Sequence, residues 1–173
     1  MSGRSPATQR LRPAPLARGK RFAIVASRFH PALVRRLVRG ATDTLRRHGA
    51  SNGRVDVLWT PGTFELPVVA ARVARRRPRP DAIIALGVLI RGQTPQYEVI
   101  AHAAAQGLSQ VSVTTGIPVT FGVIVASTRA QAAARAGGAL GNRGTEAALA
   151  ALAVLRLLAG VRYSLRGARG KGT

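Results

Sequence analysis

Residues 86–98 read LGVLIRGQTPQYE, an apolar run that stops at a glycine-bounded arginine and restarts at a proline. From Ala82 to Ile90 the chain is rich in Ile, Leu and Val with no polar alternation, as a strand buried on both faces requires, and it is too short to cross a bilayer. It reads as the central strand of a parallel sheet. Thr94 is placed to cap the next helix, with Pro95 at its first position. The amides of Gln93 and Thr94 would then lie at the positive end of the helix dipole, where an anion is favoured. Strand, glycine loop and helix start at the carboxyl edge of a sheet make the usual ligand crevice of open α/β folds.

Upstream, FAIVA at 22–26 is a short buried strand, and Ser27, Arg28, Phe29 and His30 form the turn after it. Pro31 opens a helix with Leu33, Leu37, Val38, Ala41 and Leu45 on one face and Arg35, Arg36, Arg39, Arg46 and Arg47 on or beside the wet face, ending at Gly49. RVDVLW at 54–59 is a second strand, broken by Thr60, Pro61 and Gly62. A helix over 67–76 follows, and its RRRPRP end feeds the central strand. Downstream, 97–113 is helical and 118–126 is a fourth strand. Ser127 or Thr128 caps a helix that closes at Gly137, and 145–158 is a last helix rich in Ala and Leu before RGARGKGT. Strands alternating with helices predict one α/β domain: a four-stranded parallel sheet between two helical layers, an αβα sandwich. The expected boundaries are a disordered basic tail at 1–20, the domain at 21–160 and a basic tail at 161–173.

Composition narrows the function. Cysteine is absent, which removes disulfides, thiolate nucleophiles and cysteine-ligated metals. His30, His48 and His102 show no metal-ligand spacing, so no metal is expected. No secretory h-region follows Met1 and no run approaches a membrane span, so a cytoplasmic protein without membrane contact is expected. No G-x-G-x-x-G follows the first strand and no Walker motif occurs. Charge is the anomaly: 27 Lys and Arg against 6 Asp and Glu give +21, and only Lys20 and Lys171 are lysine. Such an excess suits a polyanion or nucleic acid on a basic surface, or else solvated faces in a chain that has drifted towards arginine. Polar and aromatic oddities gather after the strands: Phe29 and His30, then Thr63, Phe64 and Glu65, then residues 91–96. They converge on one edge of the sheet.

SRFH at 27–30, PGTFELP at 61–67, LGVLIRGQT at 86–94, TGIPVTFGV at 115–123 and RAGGALGNRGTEAALA at 135–150 together resemble the 6,7-dimethyl-8-ribityllumazine synthases of riboflavin biosynthesis. The resemblance spans most of the chain outside its tails. It implies a flavodoxin-like sandwich, homo-pentamers with an active site between neighbours, and in some members a capsid of sixty subunits. It also implies a cofactor-free condensation of 5-amino-6-(D-ribitylamino)uracil with 3,4-dihydroxy-2-butanone 4-phosphate. By the same resemblance Phe29 stacks on the pyrimidine, Thr63, Phe64 and Glu65 line the ribityl side, and Val88, Leu89 and Ile90 offer backbone to the uracil edge. Gln93, Thr94 and Arg135 match the phosphate site, Arg143 stands where the family has a basic residue near the uracil, and Phe121 and Arg135 come from the neighbouring subunit. Taken singly, Phe29 would be a turn or core aromatic, Glu65 a helix-start acid, Thr94 a cap, and Arg135 and Arg143 solvated cations. Their joint occurrence in register carries the reading.

One position departs from the family pattern. Two residues after the Thr that matches Thr94 the family usually has a histidine, and this chain has Gln96. An amide does not exchange a proton near neutral pH, so general acid–base work at that place is lost while hydrogen bonding remains. His30, beside Phe29, is the candidate imidazole for the same pocket; the alternative is a turn residue before Pro31 with no chemistry. Two classes follow: a working synthase that acts by positioning, or a weakened lumazine- or flavin-binding shell protein associated with polyanions.

Overall fold

The computed structural model describes residues 16–169, with side chains through residue 160. The expected disorder of the N-terminal tail up to residue 15, and the end of the C-terminal tail at 170–173, lie outside the described residues. The elements alternate as β1 (Phe22–Ser27), α1 (Pro31–Arg47), β2 (Val55–Thr60), α2 (Leu66–Ala74), β3 (Ala82–Ile90), α3 (Gln96–Thr115), β4 (Val119–Ala126) and α4 (Arg129–Arg135). A small ribbon of β5 (Ala136–Gly138) and β6 (Gly141–Asn142) then leads into α5 (Arg143–Arg169). β1 to β4 form one wholly parallel sheet in the order β2-β1-β3-β4. The two inner strands, β1 and β3, are the ones buried on both faces. That burial is why both lack polar alternation.

Strand periodicity divides the core into two halves. Phe22, Ile24 and Ala26 of β1 and Ile84, Leu86 and Val88 of β3 pack with α1 (Leu33, Leu37, Leu45) and α5 (Ala148, Leu152). Ala23 and Val25, with Ile83 and Leu89, pack against α2 and α3 through Leu66, Ala70 and Leu108. The result is the three-layer, flavodoxin-like αβα arrangement. No helix among the described residues is long and apolar enough to cross a membrane.

Several local expectations are corrected. Residues 16–19 form a turn, and Ala17 is buried with its N–H donated to the His48 carbonyl at 2.9 Å. Thr94 does not cap α3. Pro95 takes that place, and its carbonyl accepts from the Glu98 and Val99 amides at 3.0 and 3.4 Å. A proline whose φ is already helical can close the turn itself, which moves the helix start one residue downstream. Thr128, not Ser127, caps α4 by accepting from Gln131 N–H at 3.2 Å. That helix ends at Arg135, and the ribbon after it was unforeseen. α5 begins two residues earlier than expected and continues to Arg169 rather than ending at Leu158. Its continuation carries three Arg and two Ala, and its two glycines, Gly160 and Gly167, cost only about 1 kcal/mol each in a helix.

Candidate active site

The crevice begins where β3 outruns β1. The β1–β3 ladder ends at Ala26↔Leu86, whereas β3 pairs with β4 as far as Ile90↔Ala126. Ile83 and Arg91 both donate their amides to the β4 side, to Pro118 and Ala126 at 2.8 and 2.9 Å. Backbone groups alternate sides along a strand, so Val88 and Ile90 turn theirs towards the β1 side, beyond the last β1 pairing. Leu89 turns towards β4. Polar backbone beyond a ladder needs another partner.

Phe29 and His30 follow the end of β1, at the edge of the sheet where that gap opens. Ser27, fully buried at the end of β1, accepts the Phe29 N–H on its Oγ at 3.1 Å, and Arg28 N–H donates to the Thr60 carbonyl at 2.8 Å. The turn is thereby fixed while the Phe29 ring remains 59% exposed. His30 holds φ +54°, left-handed and uncommon for a residue with a side chain, and its carbonyl starts α1 by accepting from Leu33 and Val34. Its imidazole meets the Phe29 ring edge-on, with centroids 4.7 Å apart. Burial, and secondarily the positive charge of Arg129, lower the pKa of His30 below 6.5. The lowered value favours the neutral form of the ring at pH 7.

The β2–α2 loop supplies the neighbouring wall. Thr60 Oγ1 donates to the Gly62 carbonyl at 2.7 Å and shapes the turn. Phe64 is 59% exposed like Phe29, whereas Thr63 is buried. Its Oγ1 has no hydrogen-bond partner and lies 2.8 Å from where a Cβ on Gly87 would stand, so a side chain at 87 would drive Thr63 out of its place. Glu65 precedes α2, with its carboxylate folded back over Gly62.

Past the end of β3, Gln93, Thr94 and Gln96 are all exposed, and Gln96 is the first residue of α3. Glu98 sits in the same first turn and accepts from Tyr97 Oη at 2.6 Å. That bond, then burial and the Glu98 charge, raise the Tyr97 pKa, while Arg91 opposes them. A carboxylate there offsets part of the helix dipole, so the α3 start alone is a poor anion holder.

Phe121, Arg135 and Arg143 do not join this group. Phe121 pairs with Ala85, and five residues of β4 separate it from the carboxyl edge, roughly 16 Å. Arg135 and Arg143 converge instead on Glu146, at 3.5 and 2.8 Å. Asn142 secures that corner: its Oδ1 accepts from the Gly144 and Thr145 amides, and its Nδ2 donates to the Arg36 carbonyl. Arg129 and Asn142 escaped the sequence reading. Arg129 opens α4 three residues past the end of β4, and the convergence of strand ends that singled out Phe29 could have found it.

A family model described as 6,7-dimethyl-8-ribityllumazine synthase matches residues 19–159. The chain belongs to that family. Two relatives bearing the name 6,7-dimethyl-8-ribityllumazine synthase are each 48% identical to it. The one from Chlorobium phaeobacteroides aligns over 141 residues, 82% of this chain and 90% of its own. The one from Aquifex aeolicus aligns over 146 residues, 84% of this chain and 94% of its own. The residues singled out by resemblance fall into two groups, one at the carboxyl edge and one on β4, the end of α4 and the start of α5.

Proposed function

We propose that this chain condenses 5-amino-6-(D-ribitylamino)uracil with 3,4-dihydroxy-2-butanone 4-phosphate to 6,7-dimethyl-8-ribityllumazine, releasing phosphate and water, in riboflavin biosynthesis. The observation that carries the reading is the run of unpaired β3 backbone at Val88 and Ile90 beside the exposed ring of Phe29. Uracil presents alternating donors and acceptors along one edge and a flat face above it. A strand end answers the edge and an aromatic ring answers the face. Phe64 and Glu65 bound the ribityl side. Thr63 contributes there as a buried support against Gly87, with Leu89 behind the opposite wall.

The butanone phosphate sits at Gln93 and Thr94. Because Glu98 weakens the α3 terminus as an anion site, a guanidinium is required, and the chain's own Arg135 is paired with Glu146 elsewhere. A neighbouring copy brings Arg135, Phe121 and Arg143 to the crevice, and the working unit is a homo-pentamer with the site between subunits. An amine attacks the ketone to give an imine, phosphate is eliminated, and the second nitrogen closes the ring. These steps depend on positioning and proton transfer. Gln96 holds a hydrogen bond but moves no proton, and the neutral imidazole of His30 is the candidate base.

Mixing purified protein with both substrates and following lumazine absorbance tests the proposal; product formed faster than in the protein-free mixture is expected. Gln96→His should raise turnover, by up to roughly 10²-fold, the lower end of what a positioned proton-transfer group supplies. A second reading rests on Gln96 itself: a shell protein that binds lumazines without making them. Tight lumazine binding with no turnover would select it.

A further inference from the structure

The positive charge is concentrated at the edge of the sheet opposite the crevice. Helices antiparallel to the strands end where strands begin, so α1 ends on Arg46 and Arg47, and the last turn of α2 carries Arg72. Arg75, Arg76, Arg77 and Arg79 then lead into β3, and Arg54 precedes β2. Helix dipoles account for a cation or two at each helix end, not for arginines on the connecting loops. Asp56 and Asp81 answer part of this charge, by bonding Arg76 and Lys20. The segments after β1, β2, β3 and β4 at the carboxyl edge carry Arg28, Arg91 and Arg129 against Glu65 and Glu98, a near balance.

Between α2 and β2 at this amino edge lies an open groove of about 400 Å³, lined by Leu58, Arg72, Val73, Arg75 and Arg76. Among the described residues neither Arg72 nor Arg75 is ion-paired. Arg76 bonds Asp56, yet its Nε is buried with no acceptor. A buried donor of this kind calls for a partner that the groove itself does not hold. Pro78 and Pro80 stiffen the adjoining loop, which lowers the cost of ordering Arg77 on a partner, while Arg79 already donates to the Thr115 carbonyl.

We infer that this edge docks the phosphate backbone of duplex nucleic acid. Guanidinium forks match phosphate oxygens bidentately, and several at one edge displace condensed counterions together. Among the described residues no aromatic side chain lines this groove. Single strands held by base stacking are therefore a poorer fit than a duplex. Phosphate contacts position a duplex without reading its sequence, so binding is sequence-independent and strongly salt-dependent. The groove and the crevice lie at opposite ends of the sheet, so the inference stands apart from the catalytic reading.

The test is fluorescence anisotropy of a labelled duplex of about 30 base pairs, of arbitrary sequence, with the full chain across a salt series. Micromolar or tighter binding near 0.1 M salt is expected, weakening steeply as salt rises. The variant Arg72→Gln/Arg75→Gln/Arg77→Gln should weaken binding at least about tenfold and flatten the log–log salt slope by about 3. Arg35→Gln/Arg36→Gln/Arg39→Gln on α1 removes the same charge and should cost less than about threefold. Should the triple variant at the edge fold poorly, Arg77→Gln alone, on an exposed loop, should still flatten the slope by about 1. Equal losses from both triple variants, no binding near 0.1 M salt, or tighter retention on phosphatidylserine vesicles than on the duplex would overturn the inference.

Discussion

Phe29 and His30 are adjacent, but their surroundings give them different parts. Phe29 presents an exposed face with its backbone pinned by Ser27, so its truncation should leave the fold intact. Phe29→Ala is expected to weaken lumazine binding by about 1 kcal/mol, near fivefold, in a fluorescence titration. Unchanged affinity would remove the ring from the pocket. His30 holds a left-handed conformation that Asn also adopts readily, so His30→Asn tests the imidazole without straining the turn. Burial and Arg129 place the folded-state pKa of His30 below its ordinary 6.5. As pH falls below 6.5 the unfolded chain takes up the proton first, so stability declines with falling pH through the lowered folded value and is unaffected above 6.5. Urea unfolding at pH 7 and pH 5 should show a larger loss for the parent than for His30→Asn. The same variant should lower turnover at saturating substrate by roughly tenfold if the imidazole is the base.

At the scale of elements, the contact between α1 and α5 decides how the β4–α5 corner sits. A Cβ on Gly144 would stand 2.1 Å from the Leu37 carbonyl oxygen, and Asn142 bonds both the start of α5 and the Arg36 carbonyl. Backbone meets backbone here, so no side chain can swing aside to relieve a clash. Gly144→Ala should destabilise the protein by about 3 kcal/mol, the upper end for overpacking, as a lowered urea midpoint with an unchanged slope. A parent-like midpoint would mean the two helices part easily. Because Arg143 adjoins this glycine, the corner that supports the fold also aims the cation proposed for a neighbour's crevice.

At the scale of the whole molecule, apolar surface and charge pull against each other. Val57 and Trp59 on edge strand β2, Val125 on edge strand β4, and Val68, Val99 and Leu149 on the helices are exposed. Apolar surface on both sheet edges suits association with copies of the same chain. Five chains at +21 each bring +105 together, which opposes association wherever screening is weak. Sedimentation velocity should therefore show larger particles as phosphate or sulfate is added and smaller ones at low salt. A distribution indifferent to ionic strength would contradict this.

What the sequence determined by itself was local and periodic. β3 is announced by an apolar run with no alternation, α1 by a helical stripe behind Pro31, and the carboxyl-edge group by odd residues that follow strands. Each depends on neighbours a few positions away, which the chain prints directly. That Phe121 and Arg135 act from a neighbouring copy is what the resemblance implies, because no spacing along a chain says which copy a side chain serves. Only the tertiary structure decided that Thr63 is buried against Gly87, that β3 outruns β1, that Arg129 stands near His30, and that the loop arginines crowd one edge. These follow from strand order and register, which are set by packing between residues far apart in sequence, where local propensity is silent.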